Sequence, residues 1–405
     1  MNARESAGIA LGALRANKLR SLLTLLGVII GVSSVIAVMS VVQGLDHYVS
    51  TQLVQAGSDV FNVDKVGLEF DFTKIAERSR RRDLTPDDAA AIARSAPHVQ
   101  AAVAERDATA PVRRGARGLT GVTVRGVEPG YLEVNDLPLA RGRPIGETDQ
   151  RTRAAVCVIG SDVARELFGA LDPIGRDVRL GGLTLTVVGV GTRRGASFGA
   201  SQDAYALVAL AVFERMYGRS ASVTIGVRSR APGVFQQAED ETRTLLRARR
   251  HVSPGAKDDF EIVTPEMYLS LWRNLSGAIF IVIVGVSLIS LLVGGIVIMN
   301  IMLVSVTERT REIGIRKALG ARRRDILMQF LIEAATLSAA GGVVGVALGV
   351  GAGVLIGLLT PLPMYVSPLS VGLGLGTATL VGLFFGAYPA TRAARQDPID
   401  ALRYE

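Results

Sequence analysis

The residue types that do phosphate chemistry are the first to test. A P-loop needs a lysine followed by Ser or Thr at the end of a glycine-rich turn, because backbone N–H groups, the lysine and the hydroxyl together cradle the phosphates and the magnesium. The five lysines are Lys18, Lys65, Lys74, Lys257 and Lys317, followed by Leu, Val, Ile, Asp and Ala. The chain therefore cannot hold ATP in this way, and no cofactor is expected on it. His47, His98 and His251 are scattered, with no His or Cys neighbour at ligand spacing, so no metal site is expected. No G-x-S-x-G elbow occurs. The pairs Asp87/Asp88 and Asp258/Asp259 read as helix caps and solvated loops rather than catalytic dyads. Cys157, the single cysteine, lies in the apolar run Val156–Ile159 and reads as a small core residue. Arg113, Arg114 and Arg117 form a basic cluster that reads as a solvated face or a contact for an anionic lipid. The chain is not expected to be an enzyme.

Composition explains what the residues are for. The chain has 405 residues, 49% hydrophobic and 20% charged, with mean hydropathy +0.34. A membrane bundle joined to a polar domain combines these values; one soluble domain rarely does. The net charge of +8 could suit nucleic acid, but much of it flanks apolar segments, and a lipid bilayer is the partner this implies. Leu22–Val42 is uncharged, as are Asn274–Thr307 and Ala334–Thr391. The first is too long for a signal peptide's apolar region and spans about 30 Å as a helix. Pro361, Pro363 and Pro368 divide the last run in two. The count is four spans.

Basic residues fix the orientation. Arg4, Arg15, Lys18 and Arg20 precede span one, seven Arg or Lys lie between Arg309 and Arg324, and Arg392, Arg395 and Arg403 follow span four. The hairpin 360–368 has none. Both termini are then cytoplasmic, and residues 43–273 lie across the bilayer. The expected organisation is a cytoplasmic amphipathic segment 1–21; span one with a stalk, 22–57; an extracytoplasmic domain, 58–263; stalk and span two, 264–306; a cytoplasmic coupling loop, 307–325; span three, 326–359; the hairpin, 360–368; span four, 369–388; and a cytoplasmic tail, 389–405. The stalks follow from length. Thr264-Pro265-Glu266 is a helix start, and no proline follows before Thr307, so the helix covers about 60 Å, twice the hydrocarbon thickness.

Glycine spacing speaks to packing. Gly341, Gly345, Gly349, Gly353 and Gly357 recur every fourth residue and share a helix face. Gly27 and Gly31 mark span one, Gly382 and Gly386 span four. Small faces let backbones approach where lipid supplies no hydrophobic drive, which predicts a tight bundle or a dimer seam. Glu333 is the one charge near a span interior, expected at the cytoplasmic end and paired with Arg323 or Arg324.

Residues 58–263 read as mixed α/β with two lobes. Strands are expected at 60–63, 99–104, 122–127, 155–159, 183–190 and 224–227, helices at 85–95, 161–168 and 233–250, and surface loops near 140–152 and 191–203.

Three stretches carry a family resemblance. They are Leu19–Gly31; Asn300–Ala334 with Thr307-Glu308-Arg309-Thr310-Arg311-Glu312-Ile313-Gly314-Ile315-Arg316-Lys317-Ala318-Leu319-Gly320 at its centre; and Tyr388-Pro389-Ala390-Thr391-Arg392 with Asp397–Arg403. Together with Val158-Ile159-Gly160 and Asp172-Pro173-Ile174-Gly175, they resemble the MacB/FtsX superfamily of ABC permeases, the type VII ABC transporters. The resemblance covers essentially the whole chain. It implies a permease subunit in the bacterial inner membrane, without catalysis of its own, working by mechanotransmission as a homodimer or close heterodimer with two ATPase subunits. ATP and magnesium would sit on those ATPases. Fused members carry an ATPase domain ahead of span one. About twenty residues precede it here, so a split arrangement is expected. The segment 307–325 is implied as the coupling element, with Glu308, Arg311, Glu312, Arg316 and Lys317 pairing with the ATPase and Ile313, Ile315 and Leu319 seating in a groove. Arg392, Arg395 and Arg403 are implied as a second contact. Export of an amphipathic drug, peptide or lipid-like substrate, with a periplasmic adaptor, is the leading reading. A subunit signalling to a cell-wall hydrolase and a lipoprotein-releasing permease are the alternatives.

Overall fold

The computed structural model describes residues 18–55, 59–197, 200–219, 221–360 and 364–403. The expected amphipathic segment 1–21 lies mostly outside them. The chain divides into two units, one of Met1–Tyr48 with Trp272–Glu405 and one of Val49–Leu271. Among the described residues, four helices are long and apolar enough to cross a membrane, as expected.

Helix α1 runs Lys18–Gln55, unbroken because no proline interrupts it. In the unit Val49–Leu271, ten strands form one sheet: β1 (Val60–Asp64), β2 (Val99–Arg114), β3 (Arg117–Val127), β4 (Leu139–Gly142), β5 (Val156–Ile159), β6 (Asp177–Leu180), β7 (Leu183–Gly191), β10 (Tyr205–Ala209), β11 (Thr224–Ser229) and β12 (Glu261–Val263). The short strands β8 (Ala196–Ser197) and β9 (Ala200–Ser201) pair separately. The helices are α2 (Phe72–Arg78), α3 (Pro86–Ser95), α4 (Tyr131–Val134), α5 (Glu147–Thr152), α6 (Ser161–Phe168), α7 (Leu210–Tyr217) and α8 (Phe235–Arg249). The order is β12-β1-β11-β2-β3-β10-β5-β7-β4, with β6 pairing both β2 and β7. That double pairing closes β2, β3, β10, β5, β7 and β6 into a ring, which removes open edges.

The two lobes expected from length are two apolar cores on this one sheet. One is built around Val112, Val124, Cys157, Leu185 and Phe213, the other around Phe61, Ile92, Ile225, Leu246 and Phe260. Strand β2 feeds both. It continues ten residues past the expected end at Ala104, through charges and Pro111 that argue against a strand. The register shifts between Ala110 and Val112, so Pro111 sits at a bulge where no ladder hydrogen bond is asked of it. The stretch 140–152 is no loop: it holds the end of β4 and helix α5, capped by Asp149 accepting from Gly146 N–H at 2.9 Å. Cys157 is buried, and burial pushes its thiol up to about 12.

The aspartate pairs are less exposed than expected. Asp88 caps α3 through Thr85 N–H and pairs with Arg249 at 3.0 Å. Asp258 pairs with Arg247, and Asp259 with Arg250 at 2.8 Å. The Arg250 side chain is 1% exposed and also donates to the carbonyls of Arg82 and Asp83. It pins the loop before α3 to the end of α8.

In the other unit, α9 (Pro265–Glu308) is followed by α10 (Thr310–Ala318), α11 (Arg323–Leu359), α12 (Pro368–Arg395) and α13 (Pro398–Arg403). Helix α12 does not end at Tyr388. It runs through Pro389 to Arg395, giving up the hydrogen bond to the carbonyl four residues back. Buried Val28, Val32, Ile36 and Ser40 of α1 recur every fourth residue, opposite the glycine ladder of α11. A Cβ on Gly341 would lie 3.1 Å from Leu25 and 3.4 Å from Val28; on Gly345, 2.9 Å from Val32; on Gly349, 2.9 Å from the Ser33 carbonyl and 3.0 Å from Ile36. At Gly353 the gap to Ser40 widens to 3.9 Å. Gly357 is exposed, and among the described residues the ladder is an intrachain seam of four glycines, Gly341 to Gly353. Gly27 meets Gly294 of α9, Gly31 meets Leu291, and Gly382 and Gly386 of α12 meet Ser338 and Ala334 of α11. Gly294 and Gly295, which the spacing argument misses because they are adjacent, let α9 touch α1 on one side and Phe385 of α12 on the other. Hydroxyls close the seams: Ser34 lies 3.0 Å from Ser287, and Gln43 donates to Ser370 at 3.1 Å.

Gly349→Leu should destabilise the bundle by about 1–3 kcal/mol, the usual size of overpacking, whereas Gly351→Leu, at an exposed position with open space beside it, should leave the thermal midpoint in detergent unchanged. Arg250→Met should cost about 1–3 kcal/mol by leaving the half-buried Asp259 and the carbonyls of Arg82 and Asp83 without their donor. Thermal loss of the sheet's circular dichroism in the full chain measures it.

Candidate coupling surface

The segment expected as a coupling loop is a helix. Helix α9 stops at Glu308, and α10 starts one residue later. Its C-terminus closes in a Schellman turn: Ala321 N–H bonds the Arg316 carbonyl and Gly320 N–H that of Lys317, both at 3.0 Å. Gly320 takes φ +100 there, which only glycine adopts without strain. Asp325 then caps α11, accepting from Arg322 N–H at 3.0 Å. The two turns leave α10 rigidly framed between two long helices.

Polar ties lock α10 to its neighbours. Arg309 pairs with Glu333 of α11 at 3.2 Å. This pair replaces the expected one with Arg323 or Arg324, which stand more than two turns before Glu333 on its own helix. The Glu333 side chain is 6% exposed. Arg316 donates to Gln329 at 2.9 Å and also pairs with Glu312. Lys317 donates to the carbonyls of Ala394 and Gln396, at 2.7 and 2.6 Å. These are the free carbonyls at the end of α12, so the ammonium acts as a C-cap. Burial, and then the charge of Arg323, hold the Lys317 ammonium below its ordinary pKa, against a pull from Asp397. Gly314 lies under α13, where an added Cβ would meet Ala401 at 2.8 Å.

The expected site residues therefore separate into two sets. Ile313 is 1% exposed and packs in this chain's own core, so it cannot seat in another protein's groove. Arg316 and Lys317 are spent on internal ties. Arg311, Ile315 and Leu319 face outward at four-residue spacing, Ile315 45% and Leu319 84% exposed. Glu308 and Glu312 are exposed beside them. Leu319 opens onto a cavity of about 460 Å³ shared with Ala321, Ile326, Met328, Gln329 and Ile332. Met328 and Ile332 were missed because they lie in an apolar run that reads as a span; their four-residue spacing past the Asp325 cap was the available signal. Arg392 and Arg395 are exposed; the tail meets α10 through backbone carbonyls and Ala401 instead. The Arg403 side chain lies outside the described residues. Among the described residues no group of acidic, His or Cys side chains could hold a metal ion.

Residues 21–245 match the model of the MacB-like periplasmic core domain, and residues 275–398 that of the FtsX-like permease C-terminal domain. A macrolide export ATP-binding/permease protein of Bdellovibrio bacteriovorus is 35% identical over 97% of this chain and 60% of its own length. One from an Azoarcus species is 38% identical over 99% and 60%. The chain thus spans about three-fifths of the relatives it matches. The crystal structure of the periplasmic region of MacB from Actinobacillus actinomycetemcomitans aligns at TM-score 0.46 and 18% identity, over 56% of this chain and 98% of that one.

Lys317→Met should free the end of α12, since hydrogen bonds to a charged group contribute about 1.5–3 kcal/mol. Amide exchange at residues 393–397 should quicken while the centre of α11 stays protected.

Proposed function

The chain belongs to the MacB/FtsX-type permeases of the type VII ABC superfamily, and from that premise we propose that it is the membrane subunit of an ATP-driven exporter that transmits movement rather than passing substrate between its helices. The observation that carries this reading is α10: a short helix fixed to α9, α11, α12 and α13 on one side, with Arg311, Ile315 and Leu319 free on the other. A surface built to receive force needs both a partner-facing stripe and a stiff backing. A positive-inside anchor needs neither.

ATP is bound outside these 405 residues, since no lysine here sits in a P-loop; a separate ATPase subunit in two copies, with a second permease copy, is the arrangement proposed. ATP-driven closure of the ATPases would shift the docked α10 helices. The internal ties pass that shift to α11 and α12, and the glycine seam passes it to α1 as rigid-body motion. Helices α1 and α9, 38 and 44 residues long, exceed what a bilayer needs, and their excess would serve as stalks under the extracytoplasmic domain. The basic flanks support a reading with both termini in the cytoplasm, and the membrane proposed is the bacterial inner one. The substrate would be amphipathic, delivered with a periplasmic adaptor.

The paired change Ile315→Asp and Leu319→Asp should lower substrate-stimulated ATP turnover by at least about tenfold in liposomes holding the permease and its ATPase, the loss expected for central interface anchors. Insertion and thermal midpoint should be unaltered. Unchanged stimulation would remove the basis for this docking surface.

A further inference from the structure

A cavity lies far from α10 in sequence, in the extracytoplasmic unit. It holds about 810 Å³, a volume suited to a drug-sized molecule. Its walls are apolar: Val127, Leu132, Leu137, Leu139, Ile145 and Leu207, with the ring of Tyr131. Pro129, Pro138 and Pro144 stiffen the segment that borders it.

Its charge runs against the rest of the protein. The chain carries 45 basic residues and a net charge of +8, yet no Lys, Arg or His lines this cavity, whereas Glu128, Glu133, Asp136 and Glu147 do. Two of the four are already committed. Glu128 accepts from Ala104 N–H at 2.8 Å, and Asp136 pairs with Arg228. Arg143, the nearest other cation in sequence, is held by Asp149 at 2.6 Å. Glu133 and Glu147 have no ion pair or side-chain hydrogen bond among the described residues, and both are exposed at the cavity. The guanidiniums at its border are already engaged, Arg228 by Asp136 and the Glu133 carbonyl and Arg125 by the Tyr131 hydroxyl at 2.8 Å, so an apolar pocket with two uncommitted carboxylates suits an apolar body carrying a single positive charge. A neutral lipid would leave the carboxylates unused, and an anionic one would be repelled.

We propose that this cavity binds an amphipathic organic cation, its apolar body against Leu132, Leu137 and Leu207 and its charge met by the carboxylates at its wall, Glu133 and Glu147. As the substrate class of an exporter, this rests on the proposed function; as a binding site, it does not.

Titration of the full-length protein in detergent with monodansylcadaverine, an aromatic monoamine, and with its uncharged N-acetyl derivative tests the site. The amine should bind at least about tenfold more tightly than the acetylated form. Glu133→Gln with Glu147→Gln should erase that preference while leaving the affinity of the neutral form unchanged. Leu137→Trp, which fills the cavity, should abolish binding of both. Equal affinity for the two probes, or amine binding indifferent to the paired Gln variant, overturns the proposal. Both Gln positions are exposed, so that variant remains a valid test if the Trp variant fails to fold. Stimulation of ATP turnover by the amine in the reconstituted complex is a separate readout. Binding without stimulation would count against the export reading and leave the site standing.

Discussion

The close approach of α1 and α11 governs the membrane unit. In lipid, apolar side chains gain nothing by leaving one hydrocarbon environment for another, so helices associate through dispersion and backbone proximity. Three consecutive glycines of the ladder bring the α11 backbone within about 3 Å of where a side chain would collide with α1. Both helices run in the same direction here, Val28 opposite Gly341 and Ile36 opposite Gly349, so the four-residue ridges of one fit the smooth face of the other along their length. Helices α9 and α12 join the same core through Gly294, Gly295 and Gly386. A bundle packed this way has few ways to yield internally, and a displacement at one end is carried to the other.

The end of the unit that carries α10 depends on polar geometry instead. Arg309 and Glu333 bury opposite charges between α10 and α11, and Lys317 satisfies carbonyls that a helix end would otherwise leave to water. Buried pairs of this kind add little net stability but penalise any arrangement that separates them. They fix which way α10 faces. The stripe of Arg311, Ile315 and Leu319 is outward because Ile313, Arg316 and Lys317 are held inward.

Much of this was legible in the sequence. Uncharged runs gave the four spans, the start of α9 was marked by Thr264-Pro265-Glu266, and alternation gave six strands of the sheet. What escaped depended on tertiary partners. Strands β4, β6 and β12 are three or four residues long, too short for a period to be counted. The far half of β2 was not read as strand because charged residues and Pro111 interrupt its apolar alternation; the proline is accommodated by a bulge. At the candidate coupling surface, the types of residue were readable but their division was not: spacing places Ile313 and Ile315 on one short amphipathic segment, and only the core that α10 shares with α11 and α12 decides which is covered. The partner of Glu333 was likewise set by a turn between α9 and α10 that brings Arg309 back over α11.

Strand β2 has one more implication. Its sixteen residues supply Val99 and Ala104 to one apolar core and Val103, Ala110 and Val112 to the other. Neither core can open while β2 keeps its register in the other, so the extracytoplasmic unit should behave as a single foldon, with slow amide exchange cooperative across both halves of the sheet. A cavity carried on such a unit is presented at fixed shape.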